Sequence, residues 1–336
     1  MQHSSDATVL ARRQKRIGRI TLNRPKALNA LEPGMIQEIM LALDGWSRDP
    51  AVHAVVVEGA GGRAFCAGGD IRLIRTLSMA GDHAGIEAFF AAEYALMLAI
   101  GRYPKPYVSL IDGICMGGGV GLSIHGAARV ATEAAVFAMP ETGIGLFPDV
   151  GTTYALPRLR RGYGMYMGLT GARLGGVEAL WAGLATHVVA GGRLATLADE
   201  MADDGVAVLA DAATRPPADG AASAAQSMRC FEADSVAGIM QALDLDGSAW
   251  AQAALAALYA ASPSSVLWSF EAIRRGAGQT LEQCLQAELA LTRHATRHPD
   301  FLEGVRAMVV DKDRTPQWSP PRLADVDPAE IAALFA

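Results

Sequence analysis

The sequence predicts an α/β core followed by a mainly helical C-terminal region. Three observations carry that prediction. Short apolar runs alternate with stretches of helical spacing over residues 1–195. Two glycine-rich segments each follow a predicted strand. From Met228 onward the apolar spacing is helical throughout residues 228–295. The chain is therefore divided into a catalytic core at 1–195 and a helical region at 196–336.

Thr8–Leu10 and Ile17–Leu22 read as strands joined by a short basic connection, and Asn23–Lys26 as a turn. Met35, Ile36, Ile39, Met40 and Leu43 recur at helical intervals from Pro33 to Trp46. Val52–Val57 is a short buried strand that ends at glycines. Asp70 is the expected N-cap of a helix through Leu77. A helix over Ile86–Ile100, a strand over Pro106–Ile111 and a glycine-rich helix start over Gly117–His125 follow. Arg129–Phe137 holds two short strands. Helices are expected from Thr152, from Tyr163 and near Val177, then a strand at Thr186–Val189. Asp203–Gln226 is rich in Ala, Asp and Gly and reads as a mobile link. Helices at Met228–Leu243, Ser248–Tyr259, Ser264–Arg275 and Leu281–Ala295 complete the region. A last helix is signalled by Asp327 as N-cap, Pro328 and Glu330.

The 336 residues are 51% hydrophobic, ample for a sizeable core. With 29 basic and 35 acidic residues the formal charge is −6, and no basic–aromatic stripe occurs, so nucleic acid is not an expected partner. The four cysteines are far apart and form no C-x-x-C, as in a reduced cytoplasmic protein with buried thiols. No secretory signal is expected at the polar N-terminus, nor any membrane span, since the apolar run Phe89–Ile100 is broken by Glu93. The seven histidines show no metal spacing.

Three segments could carry chemistry. Phe137–Asp149 holds two carboxylates, Glu141 and Asp149, each directly after a proline. The prolines stiffen both approaches, while Gly143 and Gly145 allow a tight bend. Carboxylates among Phe137, Met139, Ile144 and Phe147 suit acid–base work; helix capping is the plain structural alternative. Ala64–Asp70 and Asp112–Gly121 are glycine-rich turns after strands. Such turns aim backbone N–H groups at a ligand, and two of them can form an oxyanion hole; close helix–sheet packing is the alternative. Gly59–Ala64 matches G-x-G-x-x-A, but no helix follows, so a dinucleotide site is not expected. Gly121–His125 lacks the closing glycine of a nucleophile elbow.

The run Ile20–Leu31, the Phe65–Asp70 segment, the triple glycine Gly117–Gly119 and Pro140-Glu141 together resemble the crotonase (enoyl-CoA hydratase/isomerase) superfamily. Pro140–Thr153 and Asp300–Trp318 resemble its 3-hydroxyisobutyryl-CoA hydrolase branch. The resemblance implies a crotonase-like spiral of short β-β-α units with a helical C-terminal region. It implies that the Gly69 and Gly118 N–H groups hold a thioester oxygen. It places Lys26, Ala27, Leu28, Ala67, Gly68, Gly69, Asp70 and Ile71 along the acyl-CoA. It makes Glu141 the shared catalytic acid and Asp149 the hydrolase-specific one. The second hydratase glutamate falls on Gly121, so hydration would lack its usual pair. The expected activity is hydrolysis of 3-hydroxyisobutyryl-CoA or a close 3-hydroxyacyl-CoA, in valine breakdown. No metal or redox cofactor is expected, and coenzyme A belongs to the substrate. A hydratase or isomerase using Glu141 with Asp149 is the nearest rival. A non-catalytic acyl-CoA-binding protein is the second. A homo-oligomer is left open, because crotonases often form trimers.

Overall fold

The computed structural model describes residues 7–212 and 228–335. The chain opens with a hairpin of β1 (Val9–Gln14) and β2 (Ile17–Leu22), antiparallel, with Lys15 at φ 51° in its turn. Arg12 and Arg13 thus lie within a strand, and only Lys15 and Arg16 form the basic connection. From β3 to β8 strands come in pairs, each pair followed by helix or a 3-10 turn. β3 (Ala54–Gly59) and β4 (Ala64–Cys66) precede helices Ile71–Met79 and His83–Gly101. β5 (Tyr107–Ile111) and β6 (Ile114–Met116) precede helix Gly118–Ile124. β7 (Ala128–Thr132) and β8 (Val136–Ala138) precede the 3-10 turn Glu141–Ile144. β9 (Leu174–Gly175) and β10 (His187–Val189) flank helix Gly176–Ala182.

The first strand of each of the three pairs from β3 to β8 joins one sheet, of order β1-β2-β3-β5-β7-β10, parallel beyond the opening hairpin. The second strand joins another, of order β4-β6-β8-β9. Two sheets fed alternately by one chain explain why the sequence shows such short strands. Val55, Val56 and Val57 are all fully buried, as in a parallel strand covered on both faces. Each such side chain contributes about 1.5–3 kcal/mol of burial.

The chain forms two compact units. One contains Met1–Asp70, Ala92–Phe137 and Leu174–Pro217; the other contains Ile71–Ala91, Ala138–Arg173 and Ala218–Ala336. In the first, Leu197, Ala198 and Met201 of helix Gly191–Asp204 pack on Ile17, Val56, Val108 and Val130 of the six-stranded sheet. In the second, helices Val236–Asp246, Ala249–Ala260 and Pro263–Gly276 enclose a core of Ile239, Leu243, Leu255 and Val266.

Three expectations change. The helix expected over Met228–Leu243 is a 3-10 turn, Arg229–Glu232, and then a helix from Val236. The extended Ala233 ends the first, and Ser235 caps the second by accepting the Gly238 N–H at 3.0 Å. Residues 203–204 and 206–212 of the predicted mobile link are helical or 3-10, broken at Gly205 with φ 82°, and Val206, Val208, Leu209 and Ala212 pack on the first unit's core; residues 213–226 lie outside the described residues. Helix His83–Gly101 is longer than the apolar run within it, and by length and composition it could cross a membrane. Ile86, Phe89, Phe90, Leu96 and Met97 are buried in protein, as in a core helix.

Candidate active site

In the first unit, Arg24 organises the loop before Gly69. Its guanidinium donates to the Ala30 carbonyl at 2.7 Å and to the Asp70 carboxylate at 3.1 Å. Pro25–Ala27 forms a 3-10 turn that leaves Lys26 and Ala27 exposed and ends on Leu28 at φ 52°. Asn29, fully buried, is also left-handed; its amide donates to the Ala60 and Ala64 carbonyls at 3.0 and 2.8 Å. Asparagine tolerates that conformation better than most residues. The segment then runs beside 67–70: Ala67 donates to Leu28, Leu31 to Gly68, and Asp70 to Leu31.

This pairing takes up the N–H groups of Ala67 and Asp70. Among the described residues no backbone carbonyl takes the Gly69 N–H. Gly118 is the first residue of helix Gly118–Ile124, where the N–H has no intrahelical acceptor and the helix dipole is positive. Gly117 supplies the turn at φ 51°. The two glycine segments touch: a Cβ on Gly118 would stand 3.1 Å from the Gly69 nitrogen, and one on Gly68 would stand 3.4 Å from the Gly118 nitrogen. The structure thus brings together two N–H groups that are 49 residues apart, the difference 118 − 69.

A third group lies beside them. The Glu93 carboxylate, from helix His83–Gly101, is only 2% exposed, and its Oε1 would stand 2.6 Å from a Cβ on Gly118. Sequence reading sees Glu93 only as a break in an apolar run. A carboxylate inside such a run is itself a signal, since Glu is rarely buried without a task. The Cys66 thiol is pushed up to about 12 by burial, with a smaller push from the Glu93 charge, so it is a packed thiol rather than a nucleophile.

In the second unit, Glu141 opens the 3-10 turn Glu141–Ile144, and Leu146 closes back on its carbonyl at 3.0 Å. Glu141 and Asp149 are each 7% exposed. The turn is held from several directions. Thr142 donates to Leu169 O at 3.1 Å, and its own carbonyl accepts the Ser262 N–H at 3.0 Å. Ser262 Oγ donates to the fully buried Asp300 at 2.6 Å, and Asp300 also accepts the Ser319 N–H at 2.7 Å. The Asp300–Trp318 segment noted in the sequence is thus part of the scaffold behind Glu141. Helix Pro299–Val305, which the sequence reading does not anticipate, supplies it.

Of the two glycines between the acids, only Gly145 is required. It has φ 72°, and a Cβ there would lie 2.3–2.5 Å from the Asp300 carbonyl and the Phe301 nitrogen. Gly143 has nothing within 4 Å of such a Cβ. Gly145→Ala should therefore lower stability by about 1–3 kcal/mol, and Gly143→Ala by far less. Urea denaturation of both variants checks this; equal midpoints would contradict it.

Asp149 begins a strained turn. Val150 has φ 53° and Gly151 φ 76°, and for a β-branched residue such a φ is a genuine outlier. The Asp149 carbonyl accepts the Thr152 N–H at 2.8 Å and the Thr152 hydroxyl at 2.7 Å. Glu288, from helix Leu281–Ala295, accepts the Gly151 N–H at 2.7 Å, the Thr153 N–H at 3.1 Å and the Thr153 hydroxyl at 2.5 Å. Burial, and next the Asp149 charge, push the Glu288 carboxyl up to about 8, against the Thr153 and Gly151 hydrogen bonds.

The expected residues thus fall in two groups. Lys26, Ala27, Leu28, Ala67, Gly68, Gly69, Asp70 and Gly118 belong to the first unit. Ile71, which opens helix Ile71–Met79, belongs to the second with Glu141 and Asp149. Among the described residues no group of three His, Cys, Asp or Glu could hold a metal ion.

Residues 17–335 match the family model described as "Enoyl-CoA hydratase/isomerase". The mitochondrial 3-hydroxyisobutyryl-CoA hydrolase of Rattus norvegicus is 43% identical over 347 residues, covering 99% of this chain and 90% of that protein. The crystal structure of a carnitinyl-CoA dehydratase from Mycobacterium thermoresistibile matches with a TM-score of 0.93 at 40% identity, over 98% of this chain and 97% of that one. An enoyl-CoA hydratase from Rhodobacter sphaeroides 2.4.1 matches with a TM-score of 0.92, again at 40% identity over 98% and 97%. The fold is that of these neighbours, as the sequence resemblance implies.

Proposed function

The chain belongs to the enoyl-CoA hydratase/isomerase family, and we propose that it hydrolyses the thioester of 3-hydroxyisobutyryl-CoA to the free acid and CoA, a step of valine breakdown. The observation that carries this reading is the likeness, over nearly the whole of both chains, to the rat protein of that name. Water enters, the acyl carbon–sulfur bond breaks, and the sulfur leaves as the CoA thiol. The thioester oxygen, as it gains negative charge, takes the Gly69 and Gly118 N–H groups. Glu141 attacks the carbonyl or activates the water that does. Asp149 orients the 3-hydroxyl or assists proton transfer. Lys26–Leu28, Ala67–Gly68 and Asp70–Ile71 border the acyl-CoA. The reaction as proposed uses no cofactor, and cytoplasm is its proposed compartment, although the rat relative is named mitochondrial.

Hydration is the second reading, and the Mycobacterium and Rhodobacter structures favour it through their descriptions. Hydration and isomerisation leave the thioester intact. Free thiol should therefore appear from 3-hydroxyisobutyryl-CoA, and also be assayed with 3-hydroxypropionyl-CoA and crotonyl-CoA. Loss of the crotonyl double bond without thiol release would transfer the assignment to a hydratase. Within the hydrolase reading, Asp149→Asn should be impaired most on 3-hydroxyacyl-CoAs. An equal defect on acyl-CoAs lacking the hydroxyl would remove Asp149 from that role.

A further inference from the structure

Glu288 is a buried acid that the proposed chemistry does not use. Its helix places it on the core-facing stripe, with Cys284, Leu285, Leu291 and Thr292 also buried. Both its oxygens are committed to the turn that follows Asp149, at Gly151 and Thr153. All three donors are neutral, so none of them compensates a charge.

We propose that Glu288 is the positioning residue of Asp149: in its protonated form it clamps, through both carboxyl oxygens, the turn that carries that acid. The clamp is needed because the turn is strained. Val150 and Gly151 are both left-handed, and a released turn would relax away from that backbone. Burial, and next the Asp149 charge, raise the Glu288 carboxyl to about 8, so Glu288 is protonated at neutral pH. Other charged or titratable groups nearby do not reverse this. Cys284 lies one turn back on the same helix and is itself pushed up, chiefly by burial. Arg158 is engaged by the carbonyls of Gly276, Ala277 and Gln279. Arg275 donates to the Phe335 carbonyl. Glu288, Thr153, Phe147, Arg275, Leu334 and Phe335 line a cavity of about 220 Å³, large enough for water and so for proton exchange.

The role of Asp149 in turnover rests on the hydrolase reading, but the protonated Glu288 clamp does not. The test accordingly has two arms. In the first, infrared spectra of the parent protein are followed against pH. A carboxyl should stay protonated at neutral pH and titrate near pH 8, the value to which Glu288 is raised. It should titrate lower in Asp149→Asn. Absence of any carboxyl titrating above pH 6 in the parent would overturn the proposal without any need for a Glu288 variant to fold.

In the second arm, thiol release by Glu288→Gln is measured from pH 5 to 9. Its kcat should fall up to roughly 10²-fold with KM nearly unchanged, and the parent's alkaline limb near pH 8 should vanish. Stability gives a third readout. A folded carboxyl raised from 4.5 to about 8 contributes stability that is full below pH 4.5 and lost as pH rises through 8. The parent's melting temperature should therefore fall across that window more than that of Glu288→Gln. Parental kcat and pH profile in Glu288→Gln, with only a lower melting temperature, would make Glu288 merely structural. If the parent releases no thiol at all, the hydrolase reading fails, while the infrared arm still decides the protonation of Glu288.

Discussion

Glu141→Gln should lower CoA release by roughly 10²–10⁴-fold while leaving acyl-CoA affinity close to that of the parent. The amide keeps the shape and nearly the volume of the carboxylate. It is neither a base nor a nucleophile at neutral pH. The surrounding turn should survive the change, because the restraints on it come from elsewhere. Thr142 anchors to Leu169 and Ser262, and Leu146 takes the Glu141 main-chain carbonyl rather than its side chain. A lost carboxylate is therefore separable from a lost fold. The measurement is single-turnover thiol release beside equilibrium binding of a non-hydrolysable acyl-CoA analogue. Turnover like the parent's would remove Glu141 from the chemistry. Equal losses in binding and rate would make it a binding group instead.

Local signals in the sequence were legible where one residue decides a local structure. Leu281–Ala295 is found at its predicted bounds, because Thr280 and Gln283 form a capping box and the buried residues Cys284, Leu285, Leu291 and Ala295 follow at helical spacing. Asp327 caps the last helix, as its pairing with Pro328 predicts, by accepting the Ala329 N–H at 2.8 Å. The strands were legible as short because the chain feeds two sheets in turn. Gly145 was legible as a bend but not as a contact. The backbone it must admit is that of Asp300, 155 residues away, the difference 300 − 145.

What stayed hidden were buried carboxylates supplied by other parts of the chain. Glu93 and Glu288 each sit on an apolar helix face, where Glu reads as an interruption. Their meaning lies in what they face. For Glu93 that is the Gly118 helix start, and for Glu288 the Gly151–Thr153 backbone. No local pattern encodes either partner. Helix Pro299–Val305 was missed for a related reason. Its sequence was recognisable as a motif, and its short length gives little periodicity to read.

Gly118→Pro should reduce thiol release far more than Gly118→Ala, and the difference isolates one backbone hydrogen. Both variants add a Cβ, which would stand 2.6 Å from Glu93 Oε1 and 3.1 Å from the Gly69 nitrogen. Both therefore crowd the same carboxylate and disturb the neighbouring donor. Only proline also deletes the Gly118 N–H. It does so where a helix tolerates it best, since Gly118 is the first helical residue and its N–H has no intrahelical partner. The helix should thus persist in both variants, and circular dichroism and melting temperature verify that first. Removal of a single oxyanion donor costs on the order of 10²–10³ in rate. Proline should fall below alanine by about that factor in kcat, with KM moving less, because the donor strengthens as charge develops on the thioester oxygen. Equal rates in two folded variants would show that the crowding of Glu93 accounts for the whole loss, and the Gly118 N–H would no longer count as an oxyanion donor.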